Sequence, residues 1–254
     1  MRIVVSPDAK RLGQCAAEQV ANILRACIAE QGYARIVLST GASQLTTLEA
    51  LVQLDVDWQR VEMFHLDEYA GLPETHPASF RKYLRERFLQ RVPVGKAHLV
   101  DGSAEGIAAL TRDLRERPVD LGLIGIGENA HIAFNDPPAD FDTREAYIFV
   151  NLDPACKRQQ VGEGWFASVE DVPNQAVSMT VHQILQCKRI VSCVPFAVKA
   201  SAVRDALHAP VSNLVPATVL RGHPDFALFV DADSFVLADA SRLASQGIRI
   251  ERVE

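Results

Sequence analysis

The sequence is poor in the features that mark membrane, secreted and nucleic-acid-binding proteins. No apolar run approaches the about 18 residues that a membrane helix needs. The longest candidates, such as Val119–Gly127, are strand-sized. Five cysteines (Cys15, Cys27, Cys156, Cys187, Cys193) make an odd number with no CxxC pair. Their spacing suits neither a disulfide framework nor structural zinc, so buried reduced thiols are expected. Basic residues are not in excess: 26 Lys and Arg stand against 32 Asp and Glu, a formal charge of −6. That balance weakens any case for non-specific nucleic-acid binding. The opening MRIVVSPDAK reads as a strand and a turn, with no apolar leader segment. A cytoplasmic protein without membrane or nucleic-acid partners is expected. A composition of this kind accommodates a monomer or a homo-oligomer alike.

What the chain does have is a regular alternation of element signals. Short β-branched apolar runs at Arg2–Val5, Arg35–Ser39, Val61–His65, Leu121–Ile126, Tyr147–Asn151, Arg189–Val194 and Phe226–Val230 read as strands. Helical spacing fills Ala9–Ala29, Gln44–Gln53, Ser79–Phe88, Ala104–Glu116 and Phe196–Leu207. Alternation of this sort predicts an α/β fold, a mainly parallel sheet with helices on both faces. There is no Pro/Gly/Ser-rich linker, low-complexity block or fixed-period repeat, so 1–254 is read as one domain. In such sheets ligands bind beyond the carboxyl ends of the strands. Three strand-to-loop junctions there carry unusual chemistry.

At the first, a strand ends in Ser39-Thr40-Gly41-Ala42-Ser43 and a helix follows. Small residues and unpaired N–H groups suit a phosphate. The GKS/T ending of a nucleotide-hydrolysing loop is absent. A plain turn capped by Ser43 is the bland alternative. At the second, an apolar strand runs straight into Asp67-Glu68-Tyr69. An exposed loop is one reading of two adjacent carboxylates, and a general base over the ligand crevice is the other. The third, GLIGIGENAHIAFNDPP at 122–138, formally fits a dinucleotide fingerprint, but Asp136-Pro137-Pro138 stops any helix from following. What remains presents Glu128, Asn129, His131, Asn135 and Asp136, where an acid can orient a histidine and raise its proton affinity.

Taken together, STGAS, LDEYAGL, GIGENAHIAFNDP, VPNQAVSMT, the lysine of VPFAVKASAV and VPATVLRGHPD resemble the glucosamine-6-phosphate deaminase (isomerizing) family, in the same order through nearly the whole chain. The resemblance implies a Rossmann-like fold. It also implies conversion of an amino-sugar 6-phosphate and water into a ketose 6-phosphate and ammonia, with neither metal nor organic cofactor. It makes Asp67 the base that moves a proton between C2 and C1, and His131, supported by Asp136 and Asn129, the catalyst of ring opening. Gly41, Ala42 and Ser43, with Lys199, become the phosphate site.

Several positions depart from the family pattern. Asp136 stands where Glu is usual, and Ala130 where Gly is usual. A phosphate-site arginine normally precedes an aromatic pair, but here the segment reads Gly162-Glu163-Gly164-Trp165-Phe166. Arg158, in a longer stretch just upstream, is the candidate replacement. The basic cluster that some members use for allosteric activation is not evident in 140–147, and no such activation is expected. Pro73–Tyr83 is a candidate lid. Two other functions are weighed: a 6-phosphogluconolactonase-like hydrolase, which needs no C2 base, and a non-catalytic sugar-phosphate-binding regulator.

Overall fold

The computed structural model describes all 254 residues, Met1–Glu254. The first half contains β1 (Arg2–Ser6), α1 (Ala9–Gln31), β2 (Ala34–Leu38), α2 (Leu45–Leu51), β3 (Val61–His65) and β4 (Asp67–Tyr69). There follow α3 (Phe80–Leu84), β5 (Lys96–His98), α4 (Ala104–Arg115) and β6 (Leu121–Ile124). The second half comprises β7 (Tyr147–Asn151), α5 (Pro154–Gly162), β8 (Gln175–Met179), α6 (Val181–Leu185) and β9 (Arg189–Val194). It closes with α7 (Ala200–His208), β10 (Phe226–Asp231), α8 (Ala240–Ser245) and β11 (Arg249–Arg252).

Eight strands form one sheet in the order β11-β1-β10-β9-β6-β2-β3-β5, and every neighbouring pair in it is parallel. Side chains alternate across it. Val4, Ile36, Leu38, Met63, Leu123 and Phe229 pack with α1, α2 and α3 on one face. Ile3, Val5, Val37, Phe64, Ile124 and Val230 pack with α4, α6, α7 and α8 on the other. Burial on both faces is why these strands read as continuous apolar runs. The expected α/β architecture holds. No helix is long and apolar enough to cross a membrane. All five cysteines are free, and all but Cys15 are buried.

The expected strands require two corrections. Tyr147–Asn151 is not in the parallel sheet; it is the edge of a separate antiparallel sheet, β4-β8-β7. Its burial alternates, as expected of a strand with one solvated face. The strand predicted to reach Ile126 ends at Ile124, where its ladder with β9 stops at Ser192 and the loop carrying Gly125–Glu128 to the crevice begins. Strands β4, β5, β8 and β11 had no signal strong enough to be predicted. Three of them have at most four residues, and β8 lies among polar residues.

One close contact sets the height of α2 over the sheet. A Cβ on Gly13 of α1 would lie 2.6 Å from the backbone carbon of Thr46. Gly13→Ala therefore has to push apart the two helices that support the Ser39–Ser43 turn. A loss of about 1–3 kcal/mol is expected, read as a lowered urea midpoint with an unchanged slope. An unchanged midpoint would show that the packing yields at no cost.

Candidate active site

Strand order reverses direction between β2 and β6. From β2 the chain proceeds outward to β3 and β5; from β6 it proceeds the other way to β9 and β10. Loops leaving the two strands diverge and open a crevice at their carboxyl ends, the place where ligands bind in such sheets. The crevice is lined by Ser39–Ser43, Asp67, Gly125–Glu128, His131 and Lys199, with Phe80, Phe134 and Phe196 among its apolar walls. Gly41, Ala42, Ser43, Asp67, His131 and Lys199 thus come together from loops spread over more than half the chain.

The Ser39–Ser43 turn is anchored at both ends. Ser39 N–H continues the β2–β6 ladder by donating to Leu123 O at 3.0 Å. Gly41 has φ +96°, a region that disfavours any Cβ, and its carbonyl accepts from the Tyr83 hydroxyl at 3.1 Å. A short 3₁₀ turn, Ala42–Gln44, precedes α2, and Ser43 makes no capping hydrogen bond. Instead its hydroxyl accepts from Gln44 Nε2 at 2.9 Å, while that same amide donates to Cys193 O at 3.1 Å. The first N–H groups of such a turn have no acceptor within it and are available to an anion.

Asp67 and Glu68 are not in an exposed loop. Both are buried in β4, and strand alternation sends them to opposite sides. Glu68 is saturated: its carboxylate accepts from the N–H groups of Tyr69, Phe80 and Arg81, from Ser79 Oγ and from Arg81 Nε at 2.8–3.2 Å. These bonds pin the start of α3, so Pro73–Tyr83 is tied to β4 and does not hang free as a lid. Asp67 makes no side-chain hydrogen bond and faces the crevice. Burial, with the Glu68 charge second, raises its pKa from 3.8 to about 8.

His131 is held from behind. Its Nδ1 lies 2.6 Å from Asn129 Oδ1 and 3.0 Å from Asp136 Oδ1. Asn129 Nδ2 donates to Asp136 Oδ1 at 3.1 Å, which fixes the amide so that its oxygen faces the ring. Two acceptors at Nδ1 assign the proton there and leave the Nε2 lone pair for the crevice. Burial pushes the Asp136 carboxyl up. The hydrogen bond and charge of His131, with the Asn129 amide, outweigh it and hold the group below its ordinary range. Ala130 and Ala133 adopt φ of +63° and +52°. At Ala130 the left-handed conformation falls where the family pattern has Gly, and each of the two residues costs about 1–2 kcal/mol.

Lys199 is 5% exposed and forms no salt bridge. Burial lowers its pKa, and the Glu163 and Glu128 charges offset this in part. Its turn depends on Phe196, at φ +82°, whose N–H donates to the buried Asp231 carboxylate at 2.9 Å. Arg158 is not in the crevice. It is exposed on α5 and lines an adjoining depression with Glu128, Asn129 and Glu163. Asp231, Gln159, Gln160 and Glu163 were missed. Asp231 carried a usable signal, an acid closing an apolar strand run as Asp67 follows another. Gln160, which accepts from the Tyr69 hydroxyl at 2.7 Å, lies in a weakly amphipathic helix and had none.

Gly127 is where the His131 ring passes closest to backbone, since a Cβ there would lie 2.1 Å from ring Cε1. Gly127→Ala is expected to displace the ring while leaving the sheet intact. Activity should fall at least a hundredfold with little change in the far-ultraviolet circular dichroism spectrum; retained activity would mean that the ring position is not critical.

A family model described as glucosamine-6-phosphate isomerases/6-phosphogluconolactonase matches residues 7–228. The glucosamine-6-phosphate deaminase of Streptococcus gordonii is 34% identical over 243 residues, covering 94% of this chain and 100% of the relative. A solved monomeric glucosamine-6-phosphate deaminase superposes with a TM-score of 0.84 at 29% identity, over 93% of this chain and all of that one. A 6-phosphogluconolactonase from Shewanella baltica shares the fold, with a TM-score of 0.76 at 21% identity over 91% of this chain and 98% of that one. The chain belongs to the glucosamine-6-phosphate isomerase/6-phosphogluconolactonase family.

Proposed function

We propose that this chain converts glucosamine 6-phosphate and water to fructose 6-phosphate and ammonia. The observation that carries the reading is an unpartnered, buried Asp67 carboxyl facing the same crevice as the free nitrogen of an oriented histidine. Lactone hydrolysis needs activated water at a carbonyl and has no use for a base at C2. A carboxyl kept unpaired at the cost of burial is what carbon-to-carbon proton transfer requires.

The steps follow from the groups present. His131 Nε2 accepts the anomeric hydroxyl proton and returns it to the ring oxygen, which opens the sugar. The electron-poor C1 acidifies the C2 proton. Asp67 takes that proton and delivers it to C1, while one amine proton passes to O1, so that the C2 amine becomes an imine and the C1 aldehyde an alcohol. Water adds at C2, ammonia leaves, and the ketone remains. The phosphate does not react. Its contacts with the N–H groups of Gly41, Ala42 and Ser43 and with the Lys199 ammonium position the reacting end. Arg158, beside the mouth, supplies further attraction for the anion.

Asp67 is active as the carboxylate, so kcat/KM is expected to rise with pH through an apparent pKa of about 8. Stability runs the other way. The folded form keeps a proton that the unfolded chain loses above about 3.8, so this residue's contribution falls as pH rises from about 4 to about 8. Asp67→Asn should therefore abolish release of both ammonia and fructose 6-phosphate from glucosamine 6-phosphate while raising Tm at pH 7. A lower Tm would contradict the burial argument, and undiminished turnover would sink the reaction. If lactone hydrolysis alone is found, the lactonase reading replaces this one. For Arg158→Ala, a several-fold higher KM with unchanged kcat is expected; an unchanged KM removes Arg158 from the phosphate site.

A further inference from the structure

The cysteines gave no metal signal by spacing, yet the fold brings one of them to the histidine loop. Ligand atoms of His131, Asp136 and Cys156 all lie within 4.8 Å of one another. Cys156 is in α5, 1% exposed, and the Asp136 side chain is 7% exposed. Asp136 Oδ2 is buried, and no hydrogen bond of ordinary geometry reaches it. We infer that His131, Asp136 and Cys156 form an inhibitory site for a thiophilic divalent cation, zinc above all.

The donor set, one imidazole, one carboxylate and one thiolate, is the borderline-soft mixture that zinc prefers. Tetrahedral zinc, with bonds of about 2.0 Å to nitrogen and 2.3 Å to sulfur, separates those two donors by about 3.5 Å. A carboxylate and a thiolate neutralise the ion in a buried site behind the His131 ring. The metal takes the thiolate form of Cys156, so the thiol proton is given up as it binds.

The balance of protons explains the inhibition. Zinc replaces the thiol proton of Cys156, which is released. On the imidazole it takes Nδ1, and the Nδ1 proton moves to Nε2. The lone pair that faces the crevice is lost, and ring opening stops. One proton leaves per zinc bound, so affinity rises with pH.

The test uses the full chain with Co2+ and Zn2+ as probes, and its binding readouts stand whatever reaction the crevice performs. One equivalent of Co2+ is expected to give a near-ultraviolet thiolate-to-cobalt charge-transfer band that Zn2+ abolishes. Asp67→Asn should keep that band, and Cys156→Ser should lose it. Ammonia release by the wild type is expected to fall at least tenfold in equimolar Zn2+ and to recover with a chelator. Cys156→Ser should need at least tenfold more zinc for the same inhibition. Should that variant fail to fold, Asp136→Asn keeps the thiol and is expected to bind zinc at least tenfold more weakly. A cobalt band that persists in Cys156→Ser, equal zinc affinity in Asp136→Asn, or a wild type that retains no zinc on dialysis overturns the site.

Discussion

The pairing of β4 with β8 is the constraint on which the site depends. Asp67 pairs with Ser178, and the Ser178 hydroxyl accepts from Phe134 N–H at 3.1 Å and from Asn135 Nδ2 at 3.3 Å. Asn135 Nδ2 also donates to Met179 O at 2.9 Å and to Ile132 O at 2.8 Å. One short strand therefore holds the proposed base on one side and the histidine loop on the other. The parallel sheet supplies the crevice, and the small antiparallel sheet sets the distance between the groups that face it.

The buried charges divide into two kinds. Glu68 has its acceptors engaged by fixed donors, and Arg35, fully buried, spends its guanidinium on Glu62 and three carbonyl oxygens. Such groups cost little once satisfied, and removing one partner is expensive. Asp67 and Lys199 are buried without fixed partners, and both have pKa values displaced toward the neutral form. Desolvation that only a substrate relieves destabilises the empty fold and sharpens binding. Strain is distributed in the same way: Ala130, Ala133 and Phe196 take left-handed conformations on the loops that carry His131 and Lys199.

Glutamates at 128 and 163 line the crevice near the lysine, and no arginine joins them. Glu163 is itself oriented, accepting from Gln159 Nε2 at 2.7 Å and from Trp165 Nε1 at 3.1 Å. The anion end of the crevice is consequently less positive than one built from arginine and lysine together. The exposed Arg158 is the nearest compensating guanidinium on α5, and it lies beside the crevice, not within it.

The chain's local chemistry determined the parallel α/β class, because strands buried on both faces must be apolar throughout and their crossover helices must show 3.6-residue spacing. It also marked Ser39–Ser43, Asp67 and the His131 loop, since polar residues that directly follow apolar runs stand out against them. The family motifs added Lys199 and the partners of His131. The family motif chose Asp67 over Glu68, and only the tertiary structure supplied the physical reason, because strand alternation in a three-residue strand and the partners waiting behind Glu68 are invisible in a dipeptide of two acids. Only packing turned Gly127 into the floor under an imidazole, moved Tyr147–Asn151 into a second sheet and left Arg158 outside the crevice. Cys156 meets Asp136 across 20 residues of chain for the same reason. Which polar atoms end up paired when the backbone closes is a property of three-dimensional contact, and no one-dimensional spacing records it.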